Sequence, residues 1–351
     1  METEILSVLS PEQESRALSR AREVILSGGL VVFPTETVYG LGADATSSQA
    51  AEKIYKAKGR PSDNPLIIHI ATPEEAEKYT YTSPLYYKLA SAFMPGPLTV
   101  IMRSKDTVPR TTRGGLDTVA VRCPSHQVAR ALIASCGVPI AAPSANLSGS
   151  PSPTSIKHVI DDMNGRCDMI LDGGDCEFGL ESTIVQILDD DSLLLLRPGK
   201  ITPDDLRSVV PSVSIAKAVT EGLSAGEVAL SPGMKYRHYA PSAPMVLLDG
   251  DSAKIIQYIR GNAEGRVAII AYHDEIHLYR ETLPEATLYD FGKENNEEEQ
   301  AHSLFYILRE ADKENYAIIY APMPKKEGIG LALYNRMIRA AAYQIVDLNK
   351  N

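Results

Sequence analysis

Apolar runs of three to five residues alternate with segments of helical periodicity along almost the whole chain, and this alternation restricts the fold to an α/β architecture. The first helix is marked at both ends. Ser10-Pro11-Glu12-Gln13 has the form of a capping box with proline at the first helical position, and Ala17, Leu18, Ala21, Val24 and Ile25 follow at helical spacing. Gly28-Gly29 stops it. A strand is predicted at 30–33, a helix over 48–58, a strand at 66–70, and a second capping-box helix start at Thr72-Pro73-Glu74-Glu75. Further short strands are predicted at 98–102, 118–122, 139–142, 169–171, 183–187 and 193–196. Several are bounded by proline or glycine, as in a sheet covered on at least one face. Residues 1–205 therefore read as one α/β domain.

From 206 to 244 the periodicity fades among Pro211, Gly222, Gly226, Pro232, Gly233, Pro241 and Pro244, the composition of a linker or lid. The piece Ser231-Pro-Gly-Met-Lys-Tyr-Arg-His-Tyr-Ala-Pro241 is unlike a spacer, because its tyrosines, histidine, arginine and lysine all suit ligand contact. After 244 the alternation resumes. Strands at 245–248, 267–271 and 317–320 and helices at 252–260, 297–310 and 328–342 predict a smaller, doubly wound, Rossmann-like α/β domain over 245–351. No G-x-G-x-x-G follows its first strand, so it carries no dinucleotide fingerprint.

Composition narrows the function classes. The net charge of −10 opposes an extended nucleic-acid face and leaves only weak RNA binding through a local patch. The cysteines, Cys123, Cys136, Cys167 and Cys176, form no C-x-x-C pair and no zinc spacing, so no protein-held metal is expected. No run approaches the ~20 apolar residues of a membrane helix, and the acidic start Met1-Glu2-Thr3-Glu4 is unlike a secretory signal. A cytoplasmic protein with no membrane partner is the expectation.

Four groups of residues could carry chemistry. Pro34-Thr-Glu-Thr-Val-Tyr-Gly-Leu-Gly42 follows a strand, where open α/β sheets place ligands, although a polar loop with turn glycines would look the same. Lys56, Lys58 and Arg60, with Asn64 beyond, end a helix; they suit a polyphosphate and equally suit the negative helix terminus. Ala141-Ala-Pro-Ser-Ala-Asn-Leu-Ser-Gly149 sets small residues and hydroxyls after a buried strand, as a phosphate loop or an ordinary strand-to-helix turn does. His69, Arg122, Ser182-Thr183 and Arg197-Pro-Gly199 are scattered. Arg122 and Arg197 each close an apolar strand, where a buried guanidinium needs an anion that a ligand would supply. A lone histidine in an apolar strand, such as His69, is more often a satisfied core residue. No serine–histidine–aspartate order, carboxylate pair or Walker motif stands out. Hydroxyls, amides and cations suit a reaction driven by positioning and electrostatics, as nucleotidyl transfer is.

Pro34 to Gly42, Lys58-x-Arg60-Pro61 and Ser144-x-Asn146, in this order and spacing, closely resemble the YrdC-domain signature. The 231–241 piece and the following domain resemble those of the two-domain threonylcarbamoyl-AMP synthases. The resemblance implies a YrdC-like twisted α/β domain with a concave, positively lined cavity. It implies a reaction of L-threonine, bicarbonate and ATP that gives threonylcarbamoyl-AMP and pyrophosphate, with Mg²⁺ bound with ATP, for threonylcarbamoyladenosine modification of tRNA next to the anticodon. It further implies a hand-off to a separate tRNA threonylcarbamoyl transferase. Carried onto this sequence, Lys58, Arg60, Ser144 and Asn146 are the catalytic group. With Lys56, Asn64, Thr118, Ser152, Arg197 and the lid residue Tyr236 they bind ATP. Thr35, Thr37, His69, Arg122, Ala142 and Ser182 bind threonine, with Arg122 on its carboxylate. A carbamoyl transferase of hydrogenase maturation, which also uses a YrdC-like domain, would need further acylphosphatase-like and zinc-binding segments.

Overall fold

Ser10 opens the first helix, α1 (Pro11–Leu26), by accepting the backbone N–H of Gln13. Ala17, Ala21, Val24 and Ile25 line its buried face. They share one core with Val31, Phe33, Met169 and Leu171 from the strands beneath. The structure, a computed structural model, describes residues 2–222, 230–231 and 239–350. The chain divides into two compact units, residues 1–148 with 152–236, and residues 149–151 with 237–351.

In the first unit the described strands are β1 (Glu4–Ser7), β2 (Val31–Phe33), β3 (Gly40–Asp44), β4 (Ile67–His69), β5 (Leu98–Arg103), β6 (Thr118–Arg122), β7 (Ile140–Ala141), β8 (Met169–Asp172), β9 (Thr183–Asp189), β10 (Ser192–Arg197) and β11 (Ser212–Ile215). They form a mixed sheet in the order β1-β8-β2-β3-β7-β4-β6-β5-β9-β10-β11. Helices α2 (Ser48–Lys58), α3 (Pro84–Phe93), α4 (Gln127–Cys136), α5 (Ile156–Met163) and α6 (Pro203–Val209) connect them. Ser47 caps α2 through the N–H of Ala50, and Gly59, at φ 62°, ends it in the left-handed conformation that suits glycine.

Several expectations change. The segment after Thr72 is a 3₁₀ turn, Pro73–Lys78, not an α-helix. Thr72 makes no side-chain cap there, and the Glu75 carboxylate accepts the Ala71 N–H at 2.9 Å instead. The stretch expected to be linker from 206 begins with structure. Thr202 and Asp205 form a reciprocal capping box at the start of α6, and β11 pairs in parallel with β10. A seven-residue helix is too short to show a 3.6-residue period, and β11 is a mostly exposed edge strand without an apolar run.

The second unit contains β12 (Met245–Asp249), β13 (Val267–Ala271), β14 (Thr287–Asp290), β15 (Ile318–Pro322) and β16 (Ile345–Asp347), all parallel, in the order β14-β13-β15-β12-β16. Helices α7 (Ser252–Asn262), α8 (Ile276–Thr282), α9 (Glu297–Ala311) and α10 (Gly330–Ala340) alternate with them. Among the described residues no helix is long and apolar enough to cross a membrane.

Candidate active site

His69 on β4, Arg122 on β6 and Thr99 on β5 are register partners on adjacent strands. Register partners point to the same face, so the three side chains stand in one row. All are buried, at 3%, 4% and 0% exposure. Polar side chains so placed need partners, and following those partners traces the site.

On one side, Thr99 Oγ1 lies 2.7 Å from Ser182 Oγ, just ahead of β9. Arg197, ending β10, donates from Nε to the Ser182 carbonyl at 3.0 Å and from Nη2 to the Ser182 hydroxyl at 3.1 Å. The neighbouring Glu181 accepts the Ser152 hydroxyl at 2.5 Å. On the other side, Arg122 Nη2 donates to Glu36 Oε1 at 2.7 Å. Glu36 sits in the turn between β2 and β3, which Thr35 locks: its hydroxyl accepts the N–H groups of Thr37 and Val38, each at 3.2 Å, and donates to the Val38 carbonyl at 2.6 Å.

From that turn the chain of contacts reaches the 142–146 loop. Ala145 donates its N–H to the Tyr39 carbonyl at 2.8 Å, and Gly40 bridges to Ser144. A Cβ on Gly40 would stand 3.3 Å from both the Ala142 methyl and the Phe33 ring, so glycine is what permits this approach. Lys58, at the end of α2 and 2% exposed, donates its ammonium to the carbonyls of Ser144 and Asn146 and, at 3.4 Å, to Asn146 Oδ1. Ser144 Oγ also donates to Asn146 Oδ1.

The structure thus brings Lys58, Ser144, Asn146, Thr35, Thr37, Ala142, His69, Arg122, Ser182, Arg197 and Ser152 into one connected neighbourhood within the first unit. Arg60 is buried too, but it folds onto the carbonyls of Asn64 and Pro65 at 3.3 and 3.1 Å. Asn64 Oδ1 is buried without a hydrogen-bond partner. Thr118 begins β6, about 13 Å along the strand from Arg122 at the usual rise. Lys56 is exposed, because two residues along a helix turn the side chain about 200° away from Lys58. Of the three cations at this helix end, Lys58 and Arg60 are buried and Lys56 faces outward. Tyr236 lies outside the described residues.

The fold itself supplies an anion to one of the two arginines. Arg122 already has an anion in the fold, Glu36, and Arg197 is held by Ser182. Glu36 is the partner that sequence reasoning misses. It stands in the middle of the Pro34–Gly42 motif, but one acid among hydroxyls gives no sign of its partner eighty-six residues away.

Burial and charge set the protonation states. Burial alone would raise the Glu36 carboxyl, but the Arg122 charge and hydrogen bond overcome it and hold the group below its ordinary value. Burial, reinforced by the Arg122 charge, pushes His69 down to about 3. His69 is therefore neutral when folded and protonates near 6.5 when unfolded. With the folded value depressed, its contribution is full above 6.5 and declines as pH falls towards 3, by about 1.4 kcal/mol per pH unit. His69→Gln is expected to reduce the acid slope of unfolding free energy between pH 6 and 5 by about one proton in urea titrations. An unchanged slope would show that His69 is not buried neutral.

Comparison with known proteins matches this geometry to a family. The family model Sua5/YciO/YrdC, described as telomere recombination, matches residues 23–199. The model described as the threonylcarbamoyl-AMP synthase C-terminal domain matches residues 201–342. A threonylcarbamoyl-AMP synthase of Pyrococcus abyssi is 42% identical over 335 residues, covering 92% of this chain and 94% of that one. One of Bacillus subtilis is 41% identical over 350 residues, covering 98% and 97%. The crystal structure of P. abyssi Sua5 complexed with L-threonine superposes with a TM-score of 0.89 at 40% identity, covering 98% of this chain and 99% of that chain. Both halves of the chain thus find their counterparts in order and over nearly full length, and the chain belongs to the two-domain threonylcarbamoyl-AMP synthase family.

Proposed function

We propose that the connected neighbourhood in the first unit is where L-threonine, bicarbonate and ATP are turned into threonylcarbamoyl-AMP and pyrophosphate, a nucleotidyl transfer. The observation that carries this reading is the line of buried cations, Lys58, Arg122 and Arg197, joined through hydroxyls and turns in a molecule of net charge −10. Two anions that must meet need fixed positive charge between them, and charge held in a dry site acts more strongly than in water.

In this reading the threonine amine adds to bicarbonate with loss of water. The resulting N-carboxythreonine carboxylate attacks the α-phosphate of ATP, and pyrophosphate leaves. Thr35, Thr37, His69, Arg122, Ala142 and Ser182 form the threonine side. Neutral His69 serves as a hydrogen-bonding wall beside Arg122, not as a base, given its depressed titration. Lys58, Ser144 and Asn146 hold the phosphates, with Arg60, Asn64, Ser152 and Arg197 on the nucleotide, Thr118 and Tyr236 at its margins, and Lys56 as an outer charge.

Among the described residues no cluster of three or more acids, histidines or cysteines could cage a metal ion. The donors near the phosphate group are the hard oxygens of Ser144 and Asn146, which fit Mg²⁺ carried in with ATP. When bound, that ion neutralises phosphate charge; Lys58 and the side-chain oxygens orient what it is bound to. The product would pass to a separate tRNA threonylcarbamoyl transferase in the cytoplasm, and direct RNA binding would be weak and salt-dependent.

Pyrophosphate release from ATP with Mg²⁺ and bicarbonate, measured with and without L-threonine, tests the reading. Release is expected only when threonine and bicarbonate are both present. Release indifferent to threonine would mean another acceptor uses this site.

A further inference from the structure

An α-amino acid carries an anion and a cation on the same carbon, so a site that reads both must hold opposite charges side by side. Arg122 and Glu36 are such a pair, 2.7 Å apart, with side chains 5% and 2% exposed. The pair is incomplete as it stands. Arg122 Nε–H is buried and has no hydrogen-bond partner, although Nη2 is taken by Glu36. The Glu36 carboxylate also meets backbone N–H groups, among them a long contact of 3.4 Å from His126. An unmade buried guanidinium donor is costly, and it marks where an anion from outside fits beside Glu36.

We propose that Glu36 receives the ammonium of the amino-acid substrate while Arg122 holds its carboxylate, and that Glu36 takes the proton the ammonium must lose before the amine can react. The proposal rests on the reading of this pocket as the threonine site. Written in full, the Glu36 carboxylate and the substrate ammonium give the Glu36 carboxylic acid and the free amine. The amine and bicarbonate then give the N-carboxylate and water, and Glu36 returns its proton to solvent.

The surroundings favour this exchange. The titratable groups that sense Glu36 are Arg122, His69, His126, Cys123 and Cys176. Burial lowers both histidines and raises both thiols, so all four stay neutral and Arg122 is the one charged group among them. Burial pushes the Glu36 carboxyl up, while the Arg122 charge, with help from backbone N–H bonds of Glu36 and Ser125, pulls it down. Once a substrate carboxylate shares Arg122, that pull weakens and burial favours a protonated Glu36. The substrate thereby prepares its own base.

The test compares two ligands by calorimetry on the full chain: L-threonine, and 2,3-dihydroxybutanoate, which keeps the carboxylate and the β-hydroxyl but has no ammonium. Wild type is expected to prefer threonine by roughly thirtyfold or more. Glu36→Gln, which keeps the shape, is expected to reduce that preference to about threefold or less, while Arg122→Gln weakens both ligands alike. In pyrophosphate release, the Glu36→Gln variant should become pH-driven, its kcat/KM for threonine rising about tenfold per pH unit towards the pKa of the free amine. A merely structural Glu36 would lower the rate without that new slope, and either that result or an unchanged ligand preference overturns the proposal. A wild type that binds both ligands equally overturns it with no variant needed. A wild type that binds no threonine fails the pocket reading itself, before Glu36 enters.

Discussion

Replacing Lys58 with alanine is expected to lower threonine-dependent pyrophosphate release by about 10²–10³-fold. The reason lies in where the ammonium is held. Lys58 ends α2, where Gly59 turns the chain away at φ 62°, and its side chain runs inward to the carbonyls of Ser144 and Asn146. Those acceptors are neutral: they fix the position of the charge at the 144–146 turn, where the proposed reaction places the departing pyrophosphate. Charge already fixed in place needs no reorganisation during the reaction, which is why removing one such donor costs rate more than it costs binding. Alanine would also leave two buried carbonyls short of a donor, at about 1–3 kcal/mol of stability. L-threonine binding separates the effects. In the proposed site it depends on Arg122 and its neighbours, so it should stay within about threefold of wild type if the variant is folded. Arginine in its place is no rescue, because a planar fork does not satisfy three converging oxygens as an ammonium does. Release within about tenfold of wild type in Lys58→Ala would remove Lys58 from the reaction.

Which parts of this arrangement are legible in the sequence follows from the physics of each element. β6 and β13 are legible to the residue, because both are apolar runs bounded by breaks. α2 is equally clear, from its cap and its glycine stop. β3 is not legible at all. Gly-Leu-Gly-Ala-Asp has no β-branched residue, and its strand character comes from neighbours: β2 and β7 pair with it on either side. The edge strands β1, β11, β14 and β16 escape notice for a related reason, since an edge buries too little to need a continuous apolar run. In the site, motifs name the hydroxyls and cations but not their partners. That Arg122 meets Glu36, or that Thr99 joins Ser182 to the row, depends on register between strands far apart in sequence. Local pattern carries no register of that kind.

A methyl group at Gly199 is expected to remove about 3 kcal/mol of stability and to weaken ATP binding more than threonine binding. The Cβ of Gly199→Ala would lie 2.6 Å from the Thr183 backbone nitrogen, 2.8 Å from the Glu181 carbonyl oxygen and 2.8 Å from Thr183 Oγ1. Two of these atoms are backbone, and neither can swing aside. Thr183 N–H is tied to the Pro97 carbonyl at 2.9 Å as β9 docks on β5. The Thr183 hydroxyl donates to the Ile201 carbonyl at 2.8 Å and accepts the Ile201 N–H at 3.1 Å, clamping the 198–201 loop onto the start of β9. The loop must therefore lift, and its first casualty is the alignment of Arg197 with Ser182, set by bonds of 3.0 and 3.1 Å. Overpacking of this kind costs about 1–3 kcal/mol, and each broken hydrogen bond adds about 1 kcal/mol. Arg122 and Glu36 lie on the far side of Thr99 and should keep their geometry, so in the proposed site the loss falls mainly on Arg197 and the nucleotide, with a smaller share on threonine through Ser182. Urea unfolding and separate affinities for ATP and L-threonine measure both parts. A variant within about 0.5 kcal/mol of wild type would mean the clamp yields easily. In that case Arg197 is placed by its own side-chain bonds and not by the loop behind it.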